Sequence, residues 1–192
     1  EEGYTFDKAF GMAQKVFAYT NHTIMPEALE KWDAGLVEEV VPDVYAVIIM
    51  LNEKFESEMY KKQVPLAKKN VMKLINGGTV HMANIAMFGS SYVNGVAQIH
   101  SDLLKTTVLK EWYEFYPERF QNKTNGITQR RWLALCNSEL SALITELLGN
   151  DGWITDLSKL KELEKYADDE KVLRRFIDIK HAKKVQLADY IG

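Results

Sequence analysis

The most constraining feature of the sequence is an apolar stripe opened by a proline. After Pro42, the residues Val44, Val47, Ile48, Leu51, Phe55 and Met59 recur at helical spacing, and Glu53, Lys54, Glu56 and Glu58 fill the other face. Such a pattern predicts a long amphipathic helix with one side committed to a core. Proline suits its first turn, where an N–H would have no intrahelical partner.

Shorter helical signals surround it. Thr5 is placed to cap a helix bearing Phe6, Phe10, Ala13 and Phe17. Pro26 fits the first turn of a helix from Glu27 to Trp32, and Pro65 limits any helix across the basic segment Tyr60 to Lys73. A further helix is predicted from about Val93, with Val96, Ile99, Leu103 and Leu104 facing inward. Toward the C-terminus, Asn137 or Ser138 can cap a helix from Glu139 to Leu148, and Asp156 can cap Leu157 to Tyr166. Asp168 or Asp169 can cap a last helix to about Tyr190.

Strand signals are fewer. Val16 to Tyr19 reads as a short buried strand running into the polar turn Thr20-Asn21-His22-Thr23. Val80 to Phe88 reads as a second strand, between the turn signals Asn76-Gly77-Gly78 and Gly89-Ser90-Ser91. Strand, small-residue turn and helix in that order are the local grammar of an α/β unit. The expected class is α/β and predominantly helical, with a few short strands. Two or three strands cannot make a doubly wound sheet, so the chain reads as an incomplete portion of a larger fold. Its start at Glu1 rather than at a methionine, and its stop at Gly192 just after a helical pattern, are expected marks of an internal piece.

Composition narrows the function classes. Hydrophobic residues make up 46% and charged residues 27% of the 192, as in folded globular chains. A net charge of −3 gives no electrostatic reason to expect nucleic acid or an anionic membrane. The single cysteine, Cys136, cannot build an internal disulfide, which favours a cytoplasmic location. The longest apolar run, Val44 to Leu51, is too short to cross a bilayer, and no signal peptide is visible.

Local motifs alone leave the chemistry open. His22, His81, His100 and His181 show no zinc-type spacing, so no metal site is expected. Gly89-Ser90-Ser91 is too short to count as a phosphate cradle. His22 in a polar turn, the turn signal Asn125-Gly126 and the pair Arg130-Arg131 beside Trp132 all have ordinary structural readings.

Three longer stretches carry a resemblance. Phe17 to Leu29 reads FAYTNHTIMPEAL, Gly89 to Ser101 reads GSSYVNGVAQIHS, and Phe120 to Leu133 reads FQNKTNGITQRRWL. Each resembles a stretch of the glycogen and maltodextrin phosphorylases, in that family's order, and the likeness continues in KYADDE at Lys165 to Glu170. The resemblance implies a two-lobed, Rossmann-like glycosyltransferase fold. Residues 1–120 would be the later part of its N-terminal lobe, and residues 121–192 the crossing segment and the helices leading into the C-terminal lobe.

The resemblance also implies roles. The histidine of YTNHT, here His22 with Thr23 beside it, would lie at the glucosyl subsite, and the asparagine of KTNGI, here Asn125, would bind the same sugar. Trp132 would pack near the cofactor pocket. The family transfers a terminal α-1,4 glucosyl unit to inorganic phosphate, giving glucose 1-phosphate, with pyridoxal phosphate on a lysine in a GTGNMK-like motif. No such motif occurs in this sequence, so no catalytic residue and no bound cofactor are expected in this chain alone. α-1,4-Glucan and phosphate are the implied partners, and a homodimer the implied state of the parent.

Departures from the family pattern fall at Ser91, at His81-Met82-Ala83-Asn84, at Gln98 and at Gln129, and no family role is carried to them. Two alternatives remain at this stage: a helical protein-interaction module presenting the aromatic residues Trp112, Tyr113, Phe115, Tyr116 and Phe120, and a non-catalytic glucan-binding protein.

Overall fold

A computed structural model of the chain describes residues 3–192, which form two compact units, 3–125 and 126–192.

In the first unit, helix α1 spans Phe6–Val16, and the Thr5 hydroxyl accepts the Lys8 N–H at its start. Strand β1 (Ala18–Thr20) follows, then a single 3-10 turn at Pro26–Ala28 and strand β2 (Lys31–Asp33). The helix expected from Glu27 to Trp32 is therefore only that turn, because Trp32 is drawn into pairing with a later strand. The strand expected at Val16 to Tyr19 starts two residues later and is not buried: Val16 is 77% exposed. Among the described residues β1 has a neighbour on one side only.

Helix α2 (Ala34–Val40) is capped by the Asp33 carboxylate, which accepts the Leu36 N–H at 2.9 Å. The long helix is α3, Pro42–Lys61, with Ile48, Phe55 and Met59 of its stripe buried. Pro65 sits just before α4 (Leu66–Met72). Strands β3 (Ile75–Asn76) and β4 (Thr79–His81) form a hairpin over Gly77 and Gly78. Both glycines have positive φ, 56° and 75°, as a two-residue turn matching the strand twist demands.

The run Val80 to Phe88 is not one strand. It leaves β4 after His81 and continues as helix α5, Met82–Phe88, burying Ala83, Asn84, Met87 and Phe88 on one face. After the Gly89–Ser91 turn comes strand β5 (Tyr92–Gly95), and α6 starts only at Gln98, running to Thr106. The helix expected from Val93 is thus a strand first, because β5 is the middle member of a sheet. Helix α7 (Lys110–Phe115) and strand β6 (Phe120–Asn122) complete the unit.

Two small sheets result. β1, β5 and β6 run parallel in the order β1-β5-β6, and β2, β4 and β3 pair antiparallel in the order β2-β4-β3. Packed helices bury Phe10, Phe55, Phe88, Trp112, Phe115 and Tyr116 in one core. Phe55 stacks on Trp112 with ring centroids 4.8 Å apart and meets Phe88 at 4.7 Å. The aromatic stretch considered as an interaction surface is therefore largely interior, with Trp112, Phe115 and Tyr116 all in this core.

The second unit opens with a π-helical turn, Arg130–Leu135. Helix α8 (Ser138–Leu148) is capped by Asn137, a 3-10 segment runs over Leu157–Tyr166 after Asp156, and α9 (Glu170–Ile191) is capped by Asp169. Leu143, Ile144 and Trp153 are buried, and the Trp153 indole donates to the Thr145 hydroxyl at 3.0 Å. Arg175 grips Glu146 through both guanidinium nitrogens at 2.7 and 2.8 Å.

Candidate functional site

The C-terminal edge of the parallel sheet is where the sequence concentrates its polar loops. In register, Thr20 of β1, Asn94 of β5 and Gln121 of β6 lie side by side. Ligands of open parallel sheets bind beyond this edge, because the loops there diverge and leave a crevice.

On one side of β5, the chain leaving β1 is locked at Asn21. Its N–H donates to the Asn94 carbonyl at 2.9 Å. Its side chain is 1% exposed, donates to the Tyr19 hydroxyl at 3.2 Å and accepts the Thr23 N–H at 3.0 Å. That last bond closes a tight turn around His22 and leaves the imidazole exposed. Thr23 in turn accepts the Met25 N–H at 3.2 Å. Burial holds the Tyr19 phenol above its ordinary pKa, against the opposing effect of the Asn21 bond, so it stays a neutral scaffold group.

On the other side, the chain leaving β6 is stitched to the same strand. Lys123 N–H donates to the Gly95 carbonyl at 3.2 Å, and Asn125 N–H to the Val96 carbonyl at 2.9 Å. Ser101 donates to the Asn122 side chain at 2.7 Å, and Asn122 donates to the Thr124 hydroxyl at 3.0 Å. The Asn125 carboxamide is exposed.

His22 and Asn125 thus lie at the same edge of one sheet, on the segments that leave the two strands flanking β5. With strands about 4.8 Å apart, their strands are separated by roughly 10 Å. A cavity of about 460 Å³ opens on the His22 side, lined among others by Thr20, Asn21, His22, Thr23 and Glu30. Ala28, Leu29, Met82, Ala83 and Ala86 make the rest of its wall, so a few polar groups stand against a mostly apolar surface, as in small-molecule sites generally. Asn125 does not line it. Trp132 belongs to the second unit, on the π-helical turn, and is 71% exposed.

The carbohydrate phosphorylase family model matches residues 1–192. The chain belongs to the carbohydrate phosphorylase family. Across its whole length this phosphorylase chain is 40% identical to glycogen phosphorylase 2 of Dictyostelium discoideum, covering 20% of that protein. It is 41% identical to the liver form of glycogen phosphorylase of Bos taurus over 99% of the chain and 23% of the relative. To the cytosolic alpha-glucan phosphorylase 2 of Arabidopsis thaliana it is 40% identical over 100% of the chain and 23% of the relative. It therefore spans about a fifth of the length of these curated relatives.

Three positions that the sequence reading set apart from the family pattern have structural uses. Asn84 is buried, accepts the Trp112 indole N–H at 3.0 Å and donates to the Val71 and Lys73 carbonyls at 3.0 and 2.8 Å. Gln129 is buried and donates to the Ile154 carbonyl at 2.8 Å. Ser91 donates to the Gln14 carbonyl. Among the described residues no helix is long and apolar enough to cross a membrane.

Sequence reading passed over the residues that set the edge. Asn21, Asn94 and Asn122 lie inside the three motif stretches, yet their work is to fix loops. His100 was passed over too, although its place four residues after Val96, at the start of a helix, is a position from which side chains reach back to cap.

Proposed function

We propose that this chain forms the glucosyl-binding edge of an α-glucan phosphorylase, a glycosyltransferase that moves a terminal α-1,4 glucosyl unit onto inorganic phosphate and yields glucose 1-phosphate. The observation that carries the reading is the placement of His22 and Asn125 beyond the ends of two parallel strands, in segments tied to the chain between them through the Asn21 N–H to Asn94 and the Asn125 N–H to Val96. On this reading, residues 1–120 belong to the N-terminal lobe and 121–192 lead into the C-terminal one. The enzyme acts in the cytoplasm, and its glucan and phosphate meet in a cleft between lobes. A homodimer is the expected assembly.

The chemistry asked of this edge is recognition. A sugar hydroxyl both donates and accepts. A carboxamide offers two donors and an acceptor, and a neutral imidazole offers one of each. His22, Thr23 and Asn125 bind and orient the glucosyl unit, and neither side chain of the pair His22 and Asn125 has to transfer a proton.

Pyridoxal phosphate would supply a phosphate group that exchanges a proton with the substrate phosphate. The residues of this chain do not make a site for it. Trp132 presents an open indole face, and the GTGNMK-like motif with its lysine is not in the sequence. Trp132 contributes at most one wall of a pocket completed elsewhere in the polypeptide.

The test is kinetic and uses the full-length enzyme that carries this sequence. Asn125→Ala and His22→Ala each lower kcat/KM for glucan by about tenfold to a hundredfold, the order expected for lost hydrogen bonds to sugar hydroxyls. Thermal stability stays unchanged, because both side chains are exposed. Wild-type kcat/KM in both variants would remove this edge from the sugar site.

A further inference from the structure

Asn125 reaches its place through two hydrogen bonds in series, and we infer that His100 is the positioning residue at their base. The inference rests on the reading of Asn125 as a sugar-binding group. Helix α6 begins after Ala97, which has no side chain to cap it. His100, in the first turn, reaches back, and its Nδ1 accepts the Val96 N–H at 3.1 Å. An imidazole here acts as a glutamate or glutamine does in a capping box, but on the N–H one residue before the N-cap Ala97. The carbonyl of the same Val96 accepts the Asn125 N–H at 2.9 Å. Val96 is therefore gripped at its N–H by His100 and grips Asn125 with its carbonyl.

Two further observations make this more than helix capping. Accepting at Nδ1 leaves the ring proton on Nε2, and Nε2 is buried with no hydrogen-bond partner among the described residues. An orphaned buried donor is unfavourable, so packing alone would be better served by an apolar side chain. The junction also has no slack. A Cβ on Gly95 would lie 2.7 Å from the Ser101 hydroxyl and 2.9 Å from the Ser101 Cα. The first turn of α6 thus abuts the end of β5, and the Ser101 hydroxyl donates at 2.7 Å to Asn122, the last residue of β6 before the Asn125 loop.

His100→Asn and His100→Leu separate the roles. Asparagine keeps an acceptor near the position of Nδ1 and removes the orphaned nitrogen. Leucine keeps the bulk and has no acceptor. In the full-length enzyme, hydrogen exchange at Val96 and Asn125 is expected to stay near wild type in His100→Asn. It should speed up by roughly three- to tenfold in His100→Leu, the population change from one lost hydrogen bond. The kcat/KM for glucan should fall in the same proportion in His100→Leu and be restored in His100→Asn.

Equal protection in both variants, or protection by leucine and not by asparagine, would overturn the inference. A different pattern tests the underlying reading. If exchange behaves as expected while kcat/KM is unmoved in both His100→Leu and Asn125→Ala, the positioning link stands and the sugar role of Asn125 falls.

Discussion

At the scale of single residues, the first unit depends on one amide. Asn84 stands in the interior with both donor and acceptor capacity in use, joining α5, the α4 exit and the indole of Trp112. Its replacement by leucine fills the volume and orphans one indole N–H and two carbonyls. The buried indole N–H costs about 1–3 kcal/mol, and the carbonyls of exposed Val71 and half-buried Lys73 recover part of their loss from water, so Asn84→Leu should destabilise the unit by roughly 2–4 kcal/mol. Urea unfolding followed by tryptophan fluorescence measures this, and a loss below the value of one hydrogen bond would show that the network relaxes. Tyr116 illustrates the complementary case. Burial and its bond to Glu58 at 2.7 Å hold the phenol protonated, with the Arg119 guanidinium 3.6 Å above its ring. Arg119 itself donates to the carbonyls of Met87, Phe88 and Ser90, which ties the α5 exit to the aromatic core.

At the scale of elements, the antiparallel sheet carries a pH dependence. His81 on β4 pairs in register with Lys31 on β2. Partial burial, and then the Lys31 charge, push its imidazole below the ordinary 6.5. The fold therefore favours the neutral ring, and the stability it contributes is present above that value and is lost as pH falls through the lowered one. Denaturant midpoints taken from about pH 8 to about pH 5 should fall more steeply for the wild type than for His81→Gln. Parallel curves would contradict the assignment.

The same scale shows what the sequence could reveal. Helices with capping residues and a stripe were legible because their signals are local: Thr5 before α1, Pro42 opening α3, Asp156 and Asp169 before the last two helical segments. Strands of three or four residues were not. β2, β5 and β6 are too short for alternation to register, and they exist because distant segments pair with them. The run from Val80 to Phe88 hid a helix, since its buried positions Ala83, Asn84, Met87 and Phe88 have helical spacing inside a continuous apolar stretch. The residues of the candidate edge were legible only through resemblance. An asparagine in a turn looks the same whether it faces solvent or a sugar.

At the scale of the whole molecule, the chain belongs to the carbohydrate phosphorylase family, carries the edge proposed above to bind sugar, and contains no GTGNMK sequence. The 192 residues alone, given pyridoxal phosphate, glucan and phosphate, should release no glucose 1-phosphate, and steady turnover in that assay would refute the division of labour proposed above. Each of the two units has its own buried residues, the first around Phe55 and Trp112 and the second around Leu143, Ile144 and Trp153. Limited proteolysis in the segment after Asn125 is the direct way to separate them.

The strand order β1-β5-β6 has a temporal meaning as well. Ala18 pairs with Tyr92, and Val93 with Phe120, so the earliest strand waits for a partner more than seventy positions behind it on the ribosome. Long-range closure of this kind is slow compared with helix formation. A nascent polypeptide stalled before Tyr92 has emerged holds Tyr19 to Thr23 without the central strand that anchors Asn21.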